Sequence, residues 1–202
     1  MSIQKRKEPT SRQRQAEETK QLLINKAFSL FNTHGFEAVG VRDIASAAGV
    51  STGAFYHHFK SKEELVFYRA IGTSDWFSSL SPADFAGDSC YEKLHDFCSS
   101  YLAGAVEADG PEMIHHILSW KETSTGLRGI FLELLSLGQE RGEFSTEKSA
   151  GELCDFLLAC YRGAVYDWYR NDGRTDLRTL IWEHIHYPLE YFRRKCSSPD
   201  TP

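Results

Sequence analysis

Residues 41–65, VRDIASAAGVSTGAFYHHFKSKEEL, constrain the fold of this chain more than any other stretch, because two short helical patterns meet there at a single glycine. Val41, Ile44, Ala45 and Ala48 recur at i, i+3, i+4 and i+7, which on a helix makes one narrow apolar stripe suited to close packing. Gly49 stops that helix, since glycine enters the left-handed C-terminal conformation without a Cβ clash. Ser51 stands as the N-cap of a second helix over 52–59, with Val50 before it and Phe55 after it spaced for a hydrophobic staple. The expected unit is helix, tight turn, helix.

Phe55 and Phe59 share one face of the second helix, which leaves Thr52, Gly53, Tyr56 and His57 to point elsewhere. Short polar and hydrogen-bonding groups at the start of a short helix are what a helix-turn-helix brings to base edges in the major groove. Thr52, Gly53 and His57 are therefore the candidates for base edges, with a solvated surface position as the alternative for His57. Arg42, at the start of the first helix, and Ser51, Tyr56, Lys60 and Lys62 are the candidates for phosphates. Ser61 and Glu64 have the spacing of a capping box on a third helix, which would put the Lys62 ammonium and a helix N-terminus at the same phosphate.

Together with an apolar helix over 22–31, the run HGFEAVGVRDIASAAGVSTGAFYHHFKSKEEL at 34–65 resembles the DNA-binding domain of TetR-family transcriptional regulators. The resemblance spans roughly residues 19–71, and the remaining helices resemble the family only in number and spacing. It implies an all-α fold in which an N-terminal three-helix helix-turn-helix domain precedes a C-terminal helical ligand-binding and dimerisation domain. It carries DNA contact over to Tyr56 and Lys62, and it implies that the last two long helices pair across a twofold axis as a four-helix bundle.

The net charge of −5 hides a division that suits this reading. Residues 1–62 hold ten Lys and Arg against five Asp and Glu, whereas residues 63–202 hold thirteen against twenty-three. A basic head on an acidic body is the pattern of a DNA-binding module joined to a domain with another task. No apolar run approaches the roughly 18 residues that cross a membrane, and the polar, basic N-terminus is unlike a signal peptide; the expectation is a cytoplasmic protein. The five cysteines, Cys90, Cys98, Cys154, Cys160 and Cys196, form no Cys-x-x-Cys pair and are expected as free thiols.

Residues 1–15, with Lys5, Arg6, Lys7, Arg12 and Arg14, lack apolar periodicity and are expected to be a flexible basic arm, either laid along DNA or simply solvated. The DNA-binding domain is expected over 16–76, its core made by Phe28, Phe31, Val41, Ile44, Phe55 and Phe59, and the helical ligand-binding and dimerisation domain over 77–202. Within the latter, SPADFAG reads as a loop, and 90–107 as a helix ended by Ala108-Asp109-Gly110-Pro111. A further break is expected at 123–126 and a helix closed by Gly142. Leu153, Phe156, Leu157, Cys160, Tyr161, Ala164, Val165 and Trp168 then keep helical spacing for more than four turns. Leu177, Leu180, Ile181, Ile185, Leu189 and Phe192 repeat the pattern after the NDGR turn. No strand pattern competes.

Tyr101, His115, Trp120, Phe131, Phe156, Cys160 and Tyr161 come from helices whose apolar faces should converge, and either line a ligand pocket with a few polar handles or pack as core. No cofactor is expected, because no Walker A, dinucleotide-binding or G-x-S-x-G motif occurs, and no enzyme activity is expected for the same reason. No metal site is expected either. His57-His58 and His115-His116 diverge by roughly 100° on a helix and His184-x-His186 by roughly 200°, so neither spacing converges on one ion. The expected function is a repressor that binds double-stranded DNA at a palindromic operator as a homodimer, through the last two long helices, and is released by a small-molecule effector. The alternative is a DNA-binding dimer controlled by a protein partner.

Overall fold

Thr10 marks where the chain becomes regular. Its Oγ1 accepts the Gln13 N–H at 3.3 Å while the Gln13 side chain accepts the Thr10 N–H at 2.8 Å, a reciprocal cap for donors that a helix start leaves free. Helix α1 (Ser11–His34) therefore includes Arg12 and Arg14, which corrects the arm expected over 1–15. The computed structural model describes residues 10–111, 113–114 and 125–197, so Lys5, Arg6 and Lys7 lie outside the described residues. The apolar face of α1 buries Leu23, Ile24, Ala27, Phe28 and Phe31.

Helix α2 (Val41–Ala47) starts where the Asp43 carboxylate accepts the Gly40 N–H at 2.8 Å. Its end shows why Gly49 is needed. Gly49 has φ +68, and its N–H reaches the Ser46 carbonyl while the Val50 N–H reaches the Ala45 carbonyl, the paired bonds that close a helix through a left-handed residue. Two residues on, the Ser51 hydroxyl accepts the Ala54 N–H at 3.1 Å and begins α3 (Thr52–His58). Phe55 and Phe59 have their ring centres 5.6 Å apart and are fully buried, which stabilises the unit by about 1.5–3 kcal/mol for each ring removed from water. Phe28, Phe31 and Ile44 join them in the core, while Val41 is only half-buried.

Helix α4 (Lys62–Ser79) belongs to two compact units, which divide between Tyr68 and Arg69 rather than after residue 76. The division has a local cause: Tyr68 carries the Lys20 ammonium 3.6 Å over its ring and packs against Phe59, whereas Arg69 bonds to Asp109.

The second unit continues through a 3-10 turn (Pro82–Asp84) to α5 (Cys90–Asp96), a π-helical segment (Phe97–Leu102) and α6 (Ala103–Asp109). The π segment, absent from the expected 90–107 helix, brings Phe97, Cys98 and Leu102 into the core. Helix α7 (Thr125–Glu140) starts inside the break expected at 123–126. Gly126 is required there by close approach, since a Cβ on it would fall 2.0 Å from the Ser74 carbonyl oxygen. Helices α8 (Ala150–Arg170) and α9 (Leu177–Ser197) pack along each other. Leu153, Leu157, Ala164, Val165, Ile181, Ile185 and Leu189 line their buried faces with Phe97, Phe131 and Leu134. Cys90, Cys98, Cys154 and Cys160 are free thiols, and burial pushes those of Cys90 and Cys154 up to about 11. Among the described residues there is no strand, and no helix is long and apolar enough to cross a membrane.

Candidate nucleic-acid interface

The start of α3 presents a polar surface over an apolar floor. Phe55 is fully buried, whereas Thr52, Gly53, Tyr56 and His57 are exposed, Tyr56 to 60%. An aromatic with a hydroxyl that is left in water beside a closed core is available for a partner. The turn at Gly49 and the cap at Ser51 fix where α3 begins, with Thr52 and Gly53 in its first turn, the end at which a helix-turn-helix meets DNA. Gly53 adds a further observation. A Cβ there would lie 3.7 Å from the Ser51 hydroxyl, an ordinary contact, and its φ is not in the left-handed range. Nothing inside the unit demands glycine at this position.

The phosphate candidates fare differently from one another. Arg42 and Lys60 are exposed. Ser51 is exposed too; its hydroxyl caps α3 by accepting the Ala54 N–H and keeps its own O–H as a donor. Lys62 is turned inward: its ammonium donates to the Phe36 carbonyl at 2.7 Å and the Val39 carbonyl at 3.4 Å, and lies 4.2 Å from the centre of the Phe36 ring. Glu37 stands 3.9 Å away, and the Lys62 side chain is 18% exposed. Two of the three donors of this ammonium are thus held by carbonyls between α1 and α2, unlike the outward placement expected for a phosphate contact. The Glu64 carboxylate takes the Lys60 backbone N–H, one residue before the Ser61 N–H that the expected capping box would use.

His57 and His58 meet edge to face at 5.2 Å. His58 is half-buried, and burial, then the neighbouring His57 and Lys20, hold its pKa below the usual histidine range. The sequence reading missed Lys20 and Tyr68, whose contact ties α1 to α4; i, i+4 spacing within one helix gives no sign of a cation placed over a ring from another.

Of the residues expected to line a ligand pocket, Phe131 belongs to the core cluster of the C-terminal unit, and Tyr101 and Tyr161 pack against that cluster. Tyr101 is half-buried on the π segment, donates to the Asp84 carbonyl at 2.7 Å and packs on Phe85 and Trp76. Phe131 lies in the core against Phe97. Tyr161 is half-buried, with burial and the nearby Asp109 charge raising its pKa, and Cys160 is half-buried as well. Phe156 is 52% exposed, about 100° around α8 from the buried Leu157, so much of its ring faces outward. His115 and Trp120 lie outside the described residues.

The family described as bacterial regulatory proteins, tetR family, matches residues 23–68. The chain is 42% identical over 166 residues to the HTH-type transcriptional repressor KstR2 of Mycobacterium tuberculosis, an alignment covering 75% of this chain and 81% of that one. It is 28% identical over 186 residues to KstR2 of Rhodococcus jostii, covering 83% and 88%. Among solved structures, the transcriptional regulator FadR from Bacillus subtilis, in complex with stearoyl-CoA, superposes with a TM-score of 0.63 at 21% identity, over 84% of this chain and 97% of that one.

Proposed function

From a chain that belongs to the tetR family of bacterial regulatory proteins, we propose a transcriptional repressor that binds a palindromic operator as a homodimer and leaves it when a small molecule occupies the C-terminal unit. The family is one of transcriptional regulators rather than enzymes. The observation that carries the reading is the exposed set Thr52, Gly53, Tyr56 and His57 above buried Phe55. Thr52, Gly53 and His57 read base edges; Tyr56, Arg42 and Lys60 hold phosphates. One seven-residue helix reaches few base pairs, so two copies on half-sites one helical turn apart are needed for a specific site.

The dimer forms through α8 and α9. Phe156 and Tyr166 on the first and Tyr187 and Tyr191 on the second are each at least half exposed, although both helices bury their other faces fully. Four large aromatics in water on adjacent helices support a surface that a second copy covers. Tyr101, Phe131, Cys160 and Tyr161 remain the effector candidates of the C-terminal unit. FadR, which shares the fold, was solved with stearoyl-CoA, so acyl thioesters are the first effector class to test.

The experiment is selection of bound duplexes from random DNA with the full chain. A site with twofold symmetry is expected, and Thr52→Ala and His57→Ala should each relax preference at defined base pairs at a cost of about 1–3 kcal/mol. Tyr56→Phe should weaken all sequences alike. Selection that yields no symmetric site defeats the reading. Titration of the complex with stearoyl-CoA and lauroyl-CoA then tests effector release; retention of the operator with both removes this effector class.

A further inference from the structure

The π segment Phe97–Leu102 brings to one side of the C-terminal unit residues that an α-helix would part. Its closing bond runs from the Ala103 N–H to the Cys98 carbonyl, five residues back. Asp96 and Tyr101 are also five apart, a spacing that an α-helix turns through about 140° and a π turn returns to one side. Ser100 joins them there, its hydroxyl donating to Asp96 Oδ1 at 2.9 Å. Such segments are rare, and where they interrupt an α-helix they are frequently at a functional site.

Asp96, Ser100 and Tyr101 line a cleft of about 570 Å³ with Trp76, Gly104 and Ala105, all of them within the C-terminal unit. Trp76 is 43% exposed, and its ring lies 6.2 Å from that of Tyr101 and at 22° to it, so the two rings are nearly parallel. Tyr101 is fixed by its bond to the Asp84 carbonyl and by the Phe85 ring, set edge to face at 5.0 Å. Gly104 keeps the cleft open. A Cβ there would meet only the Arg178 guanidinium, at 4.0 Å, and its φ is not in the left-handed range. Packing therefore does not demand glycine at a helical position where alanine is preferred.

Asp96 supplies the charge of the cleft. Its Oδ2 accepts the Ala86 N–H at 2.8 Å and its Oδ1 the Ser100 hydroxyl. Both donors are neutral, so they aim the carboxylate and leave its charge uncompensated. The guanidinium nearest Gly104, that of Arg178, is taken up by Glu107 at 3.0 Å and by the Ser99 carbonyl. Two aromatic rings beside a carboxylate attract an organic cation, through the ring quadrupoles and through the charge. The Ser100 oxygen, its hydrogen already given to Asp96, is a further acceptor. Acceptors of this kind favour a cation that still carries N–H.

We propose that this cleft binds a protonated alkylamine, whose ammonium donates to Asp96 and Ser100 while its alkyl chain lies against Trp76 and Tyr101. The assignment moves Tyr101 from the effector candidates to a separate site on the surface of the same unit. Binding there is measured without DNA, so it stands or falls apart from the operator reading.

The test is calorimetric titration of the full chain with hexylammonium chloride, beside 1-hexanol and tetramethylammonium chloride. Saturable binding of one hexylammonium per chain is expected, at least tenfold tighter than either control. Asp96→Asn and Trp76→Leu should each weaken it roughly tenfold. Gly104→Leu, which removes no contact and adds a side chain to the cleft, should abolish it in a protein that melts as the wild type does. No saturable binding overturns the proposal. Equal affinity for 1-hexanol overturns it too, since the cleft would then be an apolar groove, and equal affinity for tetramethylammonium overturns the choice of an amine. Wild-type affinity in Asp96→Asn or in Gly104→Leu places the amine elsewhere on the acidic unit and overturns the site. Should Asp96→Asn or Trp76→Leu fail to fold, Gly104→Leu decides on the same criterion.

Discussion

The Lys62 ammonium sits 2.7 Å from the Phe36 carbonyl oxygen and covers the ring of the same residue. The first residue of α4 thereby closes the loop between α1 and α2, the loop from which α2 and the recognition helix depart. A charged donor held by two carbonyls contributes more than a neutral hydrogen bond, and leaving those carbonyls unpaired has its own desolvation cost.

Lys62→Met is therefore expected to destabilise the DNA-binding unit by about 1–3 kcal/mol. The slope of log affinity against log salt should stay as in the wild type, apart from any loss caused by unfolding. Denaturant titration together with a salt series checks both. A variant of unchanged stability whose salt slope falls by about one unit would return Lys62 to the phosphate contacts.

At Gly53 the fold and the proposed function make separable demands. A Cβ fits within the unit, and alanine is preferred over glycine in a helix by about 1 kcal/mol. Gly53→Ala should raise the melting temperature slightly or leave it unchanged, yet weaken operator binding tenfold or more, because the missing side chain leaves room for the DNA. Thermal melting and fluorescence anisotropy on the same preparation decide it. Full operator affinity in Gly53→Ala would remove this position from the interface.

Dimerisation can be separated from folding by two neighbouring residues on α8. Phe156 is 52% exposed and Leu157 is 2% exposed. Phe156→Arg, combined with Tyr187→Glu on α9, should give a folded monomer by sedimentation that binds DNA weakly and with little sequence preference. Leu157→Arg should lose the fold of the C-terminal unit, since it buries a charge without a partner. An intact dimer from the first pair of changes would move the interface elsewhere.

Three things could be read from the residues alone: the helix-turn-helix, its capping, and which face of α3 looks outward. These depend on contacts between residues a few positions apart. Gly49 must supply the left-handed turn, Ser51 must cap the helix it precedes, and Phe55 with Phe59 must share a face because four residues make one turn. Long-range packing decided the rest. Phe156 and Leu157 carry the same apolar signal and are adjacent in one repeat, and only the approach of the other helices sends one to the core and the other to the surface. Lys62 could be placed at a helix start, where a phosphate is the obvious partner for its charge, but the Phe36 and Val39 carbonyls that accept its hydrogen bonds are 26 and 23 positions away. Asp109 looked like a helix terminator, and it became a buried ionic hold on α4 because folding brought Arg69 within hydrogen-bond distance. Short-range stereochemistry determined which local elements form; which of their side chains meet was settled by how the helices exclude water from one another, a property of the assembled chain.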